Sequence, residues 1–317
     1  MIMILIKKRQ NDYLCADNQS IISMNRIPLI ILSVFMATML ASASEKVYPK
    51  AALIATYRYE YNTIDPHKNK PSHRHDDFVL LAGQRQSTFY GVRTRYIDSI
   101  YADPQSRSEF LSLRVKLREA LGKPLVTDGK IHYVGDKELG LPVKGLGIVV
   151  GKDFDAGILD IMDDWSATKY TYTLAADPID WELTDTMATV SGYECAGASC
   201  IYHGREWNVW FCPDVPIQDG PWQLYGLPGL IIKAESADGD HCFSLTGLEE
   251  SSREILPPPM PIGKDVVAID RKEYLRMRHE YMLNPVRSLK KRGFAVLNKE
   301  EADNDVVHDF LETDYKE

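Results

Sequence analysis

The chain has 317 residues, a mass of 36.0 kDa and a formal net charge of −8, with 26% charged and 44% hydrophobic residues. This ordinary globular composition excludes a dominantly disordered chain and a collagen-like or coiled-coil fibre. The acidic balance argues against a general nucleic-acid binder, which needs a basic face for the phosphates.

The first element is a targeting signal. Ile27 to Leu40 is a mostly apolar run, too short to cross a ~30 Å hydrocarbon core comfortably. Arg26 flanks it, and Ala41-Ser42-Ala43 gives a small-x-small cleavage pattern. Residues 24–43 are therefore expected to be a signal peptide cleaved near Ala43, with translation starting at Met24 and residues 1–23 an extension of the gene model. The product would be exported, periplasmic or outer-membrane-associated, with no transmembrane span in the mature chain.

Ala51 to Asn62 alternates, with Leu53, Ala55, Tyr57, Tyr59 and Tyr61 on one face, and predicts a half-buried strand. Asp65 to Asp76 is expected to be a polar loop, and Phe78 to Tyr90 a strand pair around Gly83. Asp103-Pro104 opens a helix as N-cap and first helical residue, with Phe110, Leu113, Leu117 and Leu121 as its apolar stripe. Strand-like segments follow at Ile131–Val134, Leu146–Gly151, Tyr170–Leu174 and Trp181–Tyr193, with Asp155, Asp160, Asp163 and Asp164 read as a solvated turn. Two hairpins are expected, around His203-Gly204-Arg205-Glu206 and around Ala237-Asp238-Gly239-Asp240. A loop of about sixteen residues joins them, a length that is often functional. Within it Leu227-Pro228-Gly229-Leu230 fits a type II turn. After a Pro-rich linker, Asp270 and Glu273 form a capping box for a helix to about Met282, ended by Asn284-Pro285.

The pattern predicts a mainly β (α+β) fold: a twisted or curled antiparallel sheet with a few packed helices. The domain would run over 47–256, with the linker and C-terminal helix over 257–295 and an acidic tail over 296–317. Residues 300–317 hold eight acids and one base, so most of the net charge is tail. That tail reads as a solvated, frayed end or, because Val306, Val307, Phe310 and Leu311 interleave with the acids, as a docking peptide.

Cys195, Cys200, Cys212 and Cys242 are the mature cysteines. In an exported chain an even count suggests disulfides, and their spacing is a poor zinc pattern. His73, His75 and Asp76 are weak metal candidates. His203 and His241 fall at hairpin turns, where exposure is the default. No G-x-S-x-G elbow, H-E-x-x-H, P-loop or G-x-G-x-x-G occurs, so no catalytic residue and no cofactor is expected. Trp207, Trp210, Trp222 and Tyr225 cluster with Arg205 and Asp219. They read as sheet core or as a binding surface, because Trp, Tyr and Arg anchor interfaces. Arg205 would pair with Asp219 or Glu206, or grip a ligand carboxylate.

The string Gly226-Leu227-Pro228-Gly229-Leu230-Ile231 resembles the motif that names the GLPGLI family, exported proteins of the Bacteroidetes. Its surroundings agree: Gly192, Tyr193 and Cys195, then Gly204-Arg205-Glu206-Trp207, Trp210-Phe211, Pro213, Pro216 and Asp219-Gly220-Pro221-Trp222. The resemblance covers about 190–235, and more loosely Ala51–Tyr90. It implies export into a periplasm and no catalytic residue. The family more often has a hydroxyl residue at the position of Cys212, which implies a private pairing of Cys212 with Cys200 or Cys242. The expected function is a non-enzymatic binding or accessory protein that presents the aromatic loop to a peptide, lipid or envelope protein. The alternatives are a periplasmic hydrolase or metal-binding protein, and a structural envelope protein.

Overall fold

Alternation in the Tyr-rich segment builds the strand it predicts. β1 (Leu53–Asp65) buries Leu53, Ala55, Tyr57 and Tyr59 on one face, as the two-residue period of a strand requires. The structure, a computed structural model, describes residues 48–65, 70–121, 125–127, 130–132, 135–165, 168–255, 266–291, 293 and 311–316. The expected signal peptide, the upstream extension, most of the Pro-rich linker and tail residues 296–310 lie outside the described residues.

The chain continues through β2 (Lys70–Ala82) and β3 (Gln86–Gly91) to the helices α1 (Val92–Ala102) and α2 (Pro104–Leu121). A small hairpin, β4 (Leu125–Thr127) with β5 (Lys130–His132), precedes β6 (Val149–Asp153), β7 (Ile158–Trp165) and β8 (Thr168–Ala175). Then come β9 (Glu182–Val190), β10 (Tyr193–Tyr202), β11 (Arg205–Cys212), β12 (Leu230–Ser236) and β13 (His241–Glu250). Last are β14 (Val266–Ala268), α3 (Arg271–Leu283), α4 (Pro285–Lys291) and a 3-10 turn at Asp314–Lys316.

Among the described residues, twelve strands form one open sheet in the order β14-β8-β7-β6-β3-β2-β1-β13-β12-β11-β10-β9. The fold is mainly β, as the sequence predicts. The ladders are antiparallel except for β14, which pairs parallel to β8 and makes the sheet mixed. One core joins side chains from both halves, Val150, Leu159 and Tyr172 with Val209, Ile232 and Phe243. The sheet must curl to bring strands this far apart in its order onto one core. At its centre Tyr59 stacks on Phe243 at 4.3 Å between ring centroids, and Phe78 stacks on Phe89 at 4.8 Å. A smaller cluster of Ala51, Ile54, Leu81 and Ile255 covers part of the opposite face.

Several local expectations hold and others do not. Asp103 Oδ2 accepts from the Ser106 amide at 2.7 Å, and Asp270 Oδ1 from the Glu273 amide at 3.1 Å, so both caps form. The stripe on α2 is apolar but poorly covered: Leu113 and Leu121 are 48% and 63% exposed, Phe110 and Leu117 are only half-buried, and no residue of α2 is buried. Periodicity identifies the apolar face of a helix without supplying a partner for it. The expected polar loop at 65–76 is largely strand β2. Of the expected acidic turn, Asp155 does lie exposed in the turn between β6 and β7, but Asp160, Asp163 and Asp164 are in strand β7, which alternation hides because Asp163 sits on its core face beside Leu159 and Ile161. Among the described residues no helix is long and apolar enough to cross a membrane.

Phe243→Ala is expected to cost about 3–5 kcal/mol, read from urea unfolding. Leu183→Ala on the edge strand β9, where Leu183 is 68% exposed, should stay within about 0.5 kcal/mol.

Candidate functional site: the hairpins and the loop between them

The β10–β11 turn needs left-handed backbone at both central residues, and His203 and Gly204 supply it with φ of 54° and 76°. Arg205 follows, buried, and its partner is neither Asp219 nor Glu206 but Asp238 in the β12–β13 turn. Burial raises the Asp238 pKa, but the Ser236 hydroxyl, the Asp240 amide and Arg205 hold the carboxyl below its ordinary value. Arg205 thus ties two hairpin turns together.

The loop between β11 and β12 folds inward across the concave face. Its anchor is Lys152 on β6, whose ammonium has no exposed side-chain surface. The three N–H donors go to Asp219 Oδ1, to the Gly220 carbonyl at 2.9 Å and to the Leu224 carbonyl at 3.2 Å. Burial lowers the Lys152 pKa and Asp219 pulls it back up. Asp219 Oδ1 also accepts the Gly220 amide at 2.7 Å, while its backbone bridges to Tyr225 and accepts from the Ile231 amide at 3.0 Å. Tyr57 on β1 donates to the Ile231 carbonyl at 2.7 Å, and Trp181 Nε1 donates to the Tyr225 carbonyl at 2.9 Å.

The expected type II turn at 227–230 is replaced by a tighter one. The Gly229 amide donates to the Leu227 carbonyl at 2.8 Å, and Gly229 has an extended φ of 157° rather than the roughly +80° of a type II turn. Glycine is required there by space: a Cβ would lie 2.2 Å from the Cys212 carbonyl oxygen.

The aromatic residues mostly share this interior. Trp207 and Trp222 are fully buried with ring centroids 5.6 Å apart, and Asp219, Tyr225, Leu227, Leu230 and Ile231 are buried with them, while Gly226 and Pro228 face outward. Trp210 differs. It is half-buried on the opposite face, with Lys233 Nζ 5.0 Å from its ring centroid. It lines an open groove of about 250 Å³ with Thr184, Thr186, Asn208 and Glu235.

Most of the other sequence candidates do not converge. All four cysteines are free thiols, but two of them come together: Ala196 faces Phe211 across the β10–β11 ladder, which sets Cys195 beside Cys212, and burial and then Cys212 raise the Cys195 thiol, so the neighbour of Cys212 is neither Cys200 nor Cys242. A disulfide needs Cβ atoms roughly 3.5–4.5 Å apart, but Cys200 faces Trp207 across the ladder, and Cys242 faces Glu60 and Glu235. Burial pushes the Cys195 thiol up to about 11 and the Cys200 thiol up to about 12, which keeps them protonated. His73 and His75 are exposed on β2, whereas Asp76 points to the other face, buried against Arg93 Nε at 2.9 Å and the Leu146 amide at 2.6 Å. Asp163 is held by Tyr274 and by Arg278 at 2.9 Å, and Asp164 by Lys144. Asp160 instead accepts from Thr173 at 2.6 Å, so the acids do not form one site. His203 and His241 are not exposed turn histidines: His241 is buried against the Tyr59 hydroxyl at 2.7 Å, and His203 Nε2 meets Gln223 Oε1 at 3.0 Å.

A second cluster, which the sequence reading missed, lies beside His203. Glu312 and Asp314 return from the acidic tail to Arg271 on α3, whose Nε donates to Glu312 Oε2 at 2.6 Å and whose Nη2 donates to Asp314 Oδ1 at 2.6 Å. This end of the tail is therefore docked, not frayed. His203, Glu312 and Asp314 bring potential ligand atoms within 4.8 Å of one another, but the Arg271 guanidinium already supplies the cation.

A family described as protein of unknown function, Porph_ging, matches residues 203–233, the segment that holds the β10–β11 turn, β11, the inward loop and the start of β12. No curated protein matches. Among solved structures, PNGF-II in two crystal forms is similar at TM-scores of 0.40 and 0.38, with 11% and 13% identity. These matches cover 71% and 70% of this chain, which spans 32% of the PNGF-II chain.

Lys152→Met leaves a buried carboxylate without its cation and is expected to destabilise the fold by about 3–5 kcal/mol. Adding Asp219→Asn should recover part of that loss in a double-mutant cycle, since the charge that needed pairing is gone. The docked tail should also loosen in acid. Burial lowers the His203 pKa below its ordinary 6.5. For Asp314 burial raises the pKa, but Arg271 and His203 hold the carboxyl below its ordinary value. Asp314 therefore binds a proton more readily when released, whereas a protonated His203 is drawn to the carboxylates of the segment. The docking contributed by Asp314 is complete above its ordinary value of 3.8 and is lost as pH falls below it. Hydrogen-exchange protection at 311–316, corrected for intrinsic rates, should drop between about pH 5 and pH 2; unchanged protection would contradict the assignment.

Proposed function

We propose that the chain is an exported, non-enzymatic binding or accessory protein of the GLPGLI type, working in the periplasm or at the outer membrane. Its partner is a peptide or an envelope protein, taken on the outer face of β9–β12 around Trp210. The observation that carries this reading is the position of Trp210. Trp207, Trp222 and Tyr225 are committed to the core, whereas Trp210 remains in an open groove with the polar side chains of Thr184, Thr186, Asn208 and Glu235. A rigid aromatic ring ringed by hydrogen-bonding groups has the composition of an interface anchor. The inward loop then acts as a brace: it fills the concave side and stiffens the strands whose opposite face carries the groove.

Crosslinked affinity capture from native membranes tests the reading, with the wild type and Trp210→Ala compared in parallel. Loss of an anchor of about 2 kcal/mol or more corresponds to roughly a 30-fold weaker complex, so a partner captured by the wild type should be depleted from the variant. Equal recovery of the same partner by both would remove the Trp210 face from the interaction.

A further inference from the structure

Residues 311–316 lie on the sheet as a bound peptide lies in a receptor. The Thr313 amide donates to the His203 carbonyl at 2.9 Å, and the Thr313 hydroxyl donates to the Gly204 carbonyl at 2.8 Å. The receptor therefore reads both the backbone and a side chain of the segment. Glu312 is 6% exposed. Its Oε1 accepts from the Tyr172 hydroxyl at 3.2 Å and from Gln223 Nε2 at 3.0 Å, and its Oε2 from Arg271. Asp314 takes both terminal nitrogens of Arg271, at 3.0 and 2.6 Å, a fork on a carboxylate that adds direction to charge. Tyr315 is also 6% exposed, and its hydroxyl meets His279 Nδ1 at 2.9 Å.

Four separate parts of the chain build this cleft: β8 through Tyr172, the β10–β11 turn, the inward loop through Gln223, and α3 through Arg271 and His279. The segment they hold is short, and residues 292–310 separate it from α4. That many residues span up to about 3.3–3.6 Å each when extended, so the connection does not by itself force the segment into the cleft. The contacts do. Two carboxylates two residues apart meet one guanidinium, and an aromatic hydroxyl meets a histidine.

We propose that this cleft is a recognition site for an acidic peptide of the pattern Glu-x-Asp-Tyr, that residues 312–315 are its resident ligand, and that a partner peptide of the same pattern displaces them. Arg271 is the charge reader, Gln223 and Tyr172 select the first acid, the His203 carbonyl fixes the backbone while the Gly204 carbonyl takes the intervening hydroxyl, and His279 selects the aromatic. Tethering gives the resident segment an effective concentration of order millimolar when its connection spans the site, so it acts as an autoinhibitory plug against weak competitors. The site is separate from the Trp210 groove and does not depend on it.

The test uses the full chain carrying Glu312→Gln and Asp314→Asn, so that its own segment no longer competes. A fluorescent peptide with the sequence of residues 308–317 is titrated into it and followed by anisotropy. Saturable binding is expected, at least ten-fold weaker to the wild type, whose plug is intact. Binding should be lost when Arg271→Met is added, lost when both acids of the peptide are replaced by their amides, and unchanged by Trp210→Ala. A folded double variant that ignores the peptide, or one that takes the amide peptide equally well, overturns the proposal. If the variants fail to fold, hydrogen exchange on the wild type decides. Amides of 311–316 that open faster than those of β11 support a displaceable plug, and amides that exchange only with global unfolding overturn it.

Discussion

The structure turns on one buried ammonium. Lys152 sits on a core-facing position of β6, where an unpaired charge would be untenable, and three oxygens of the inward loop surround it. The dependence runs both ways. The loop carbonyls of Gly220 and Leu224 would lack a partner in the core without Lys152, and Lys152 would be uncompensated without the loop. Since β6 belongs to one half of the curled sheet and the loop springs from β11 and β12 in the other, this one cluster fastens the two halves across the core. An apolar replacement of the pair could pack as well or better. What the charges add is register, because only one placement of the loop brings Asp219, Gly220 and Leu224 to the same nitrogen.

Other buried charges repeat the arrangement around the rim. Asp98 on α1 takes Lys169 of β8 at 2.9 Å and also Lys144, which reaches Asp164 of β7. Asp163 takes Tyr274 and Arg278 of α3. In each case an ion pair joins a helix or loop to the sheet, for α3 alongside Tyr274 and Leu275, which sit in the core. That fits a sheet whose long apolar face is largely consumed by its own curl and by the loop, leaving the helices little hydrophobic surface to cover. The exposed stripe on α2 is the limiting case, a helix with no buried residue.

The parts of this fold that were legible in the sequence are those with local causes. The β1 alternation, the two helix caps and the two hairpin turns each follow from residues within a few positions of one another. The inward loop was not legible, because Pro, Gly and aromatic residues compose an exposed recognition loop and a buried brace equally well. The deciding residue, Lys152, lies far away in sequence. Lys152 did carry a signal: it follows Val150 at two-residue spacing, where alternation demands an apolar residue, and a lysine in that place announces a buried partner. Asp163 carried the same signal beside Leu159 and Ile161. The docked tail carried only the apolar residues interleaved with its acids, which allow a docking peptide; its receptor carried no signal, because it is assembled from β8, a turn, the loop and α3, and no window of sequence contains it.

Gly204 shows how closely the loop and the docked segment share one framework. As the second central residue of the β10–β11 turn it needs a positive φ, which Asn or Asp could also adopt. A Cβ there, however, would lie 2.7 Å from both the Asp314 amide nitrogen and the Thr313 hydroxyl. The turn alone therefore permits several residues, and the segment lying on it permits only glycine. Its neighbour His203 is held by Gln223 of the inward loop, which also holds Glu312. Lys152 fixes the loop, the loop fixes Gln223, and Gln223 sets the wall against which the acidic segment docks. The 203–233 segment is thus both the brace of the core and one side of a peptide cleft, and a change that shifts the brace must also move the cleft.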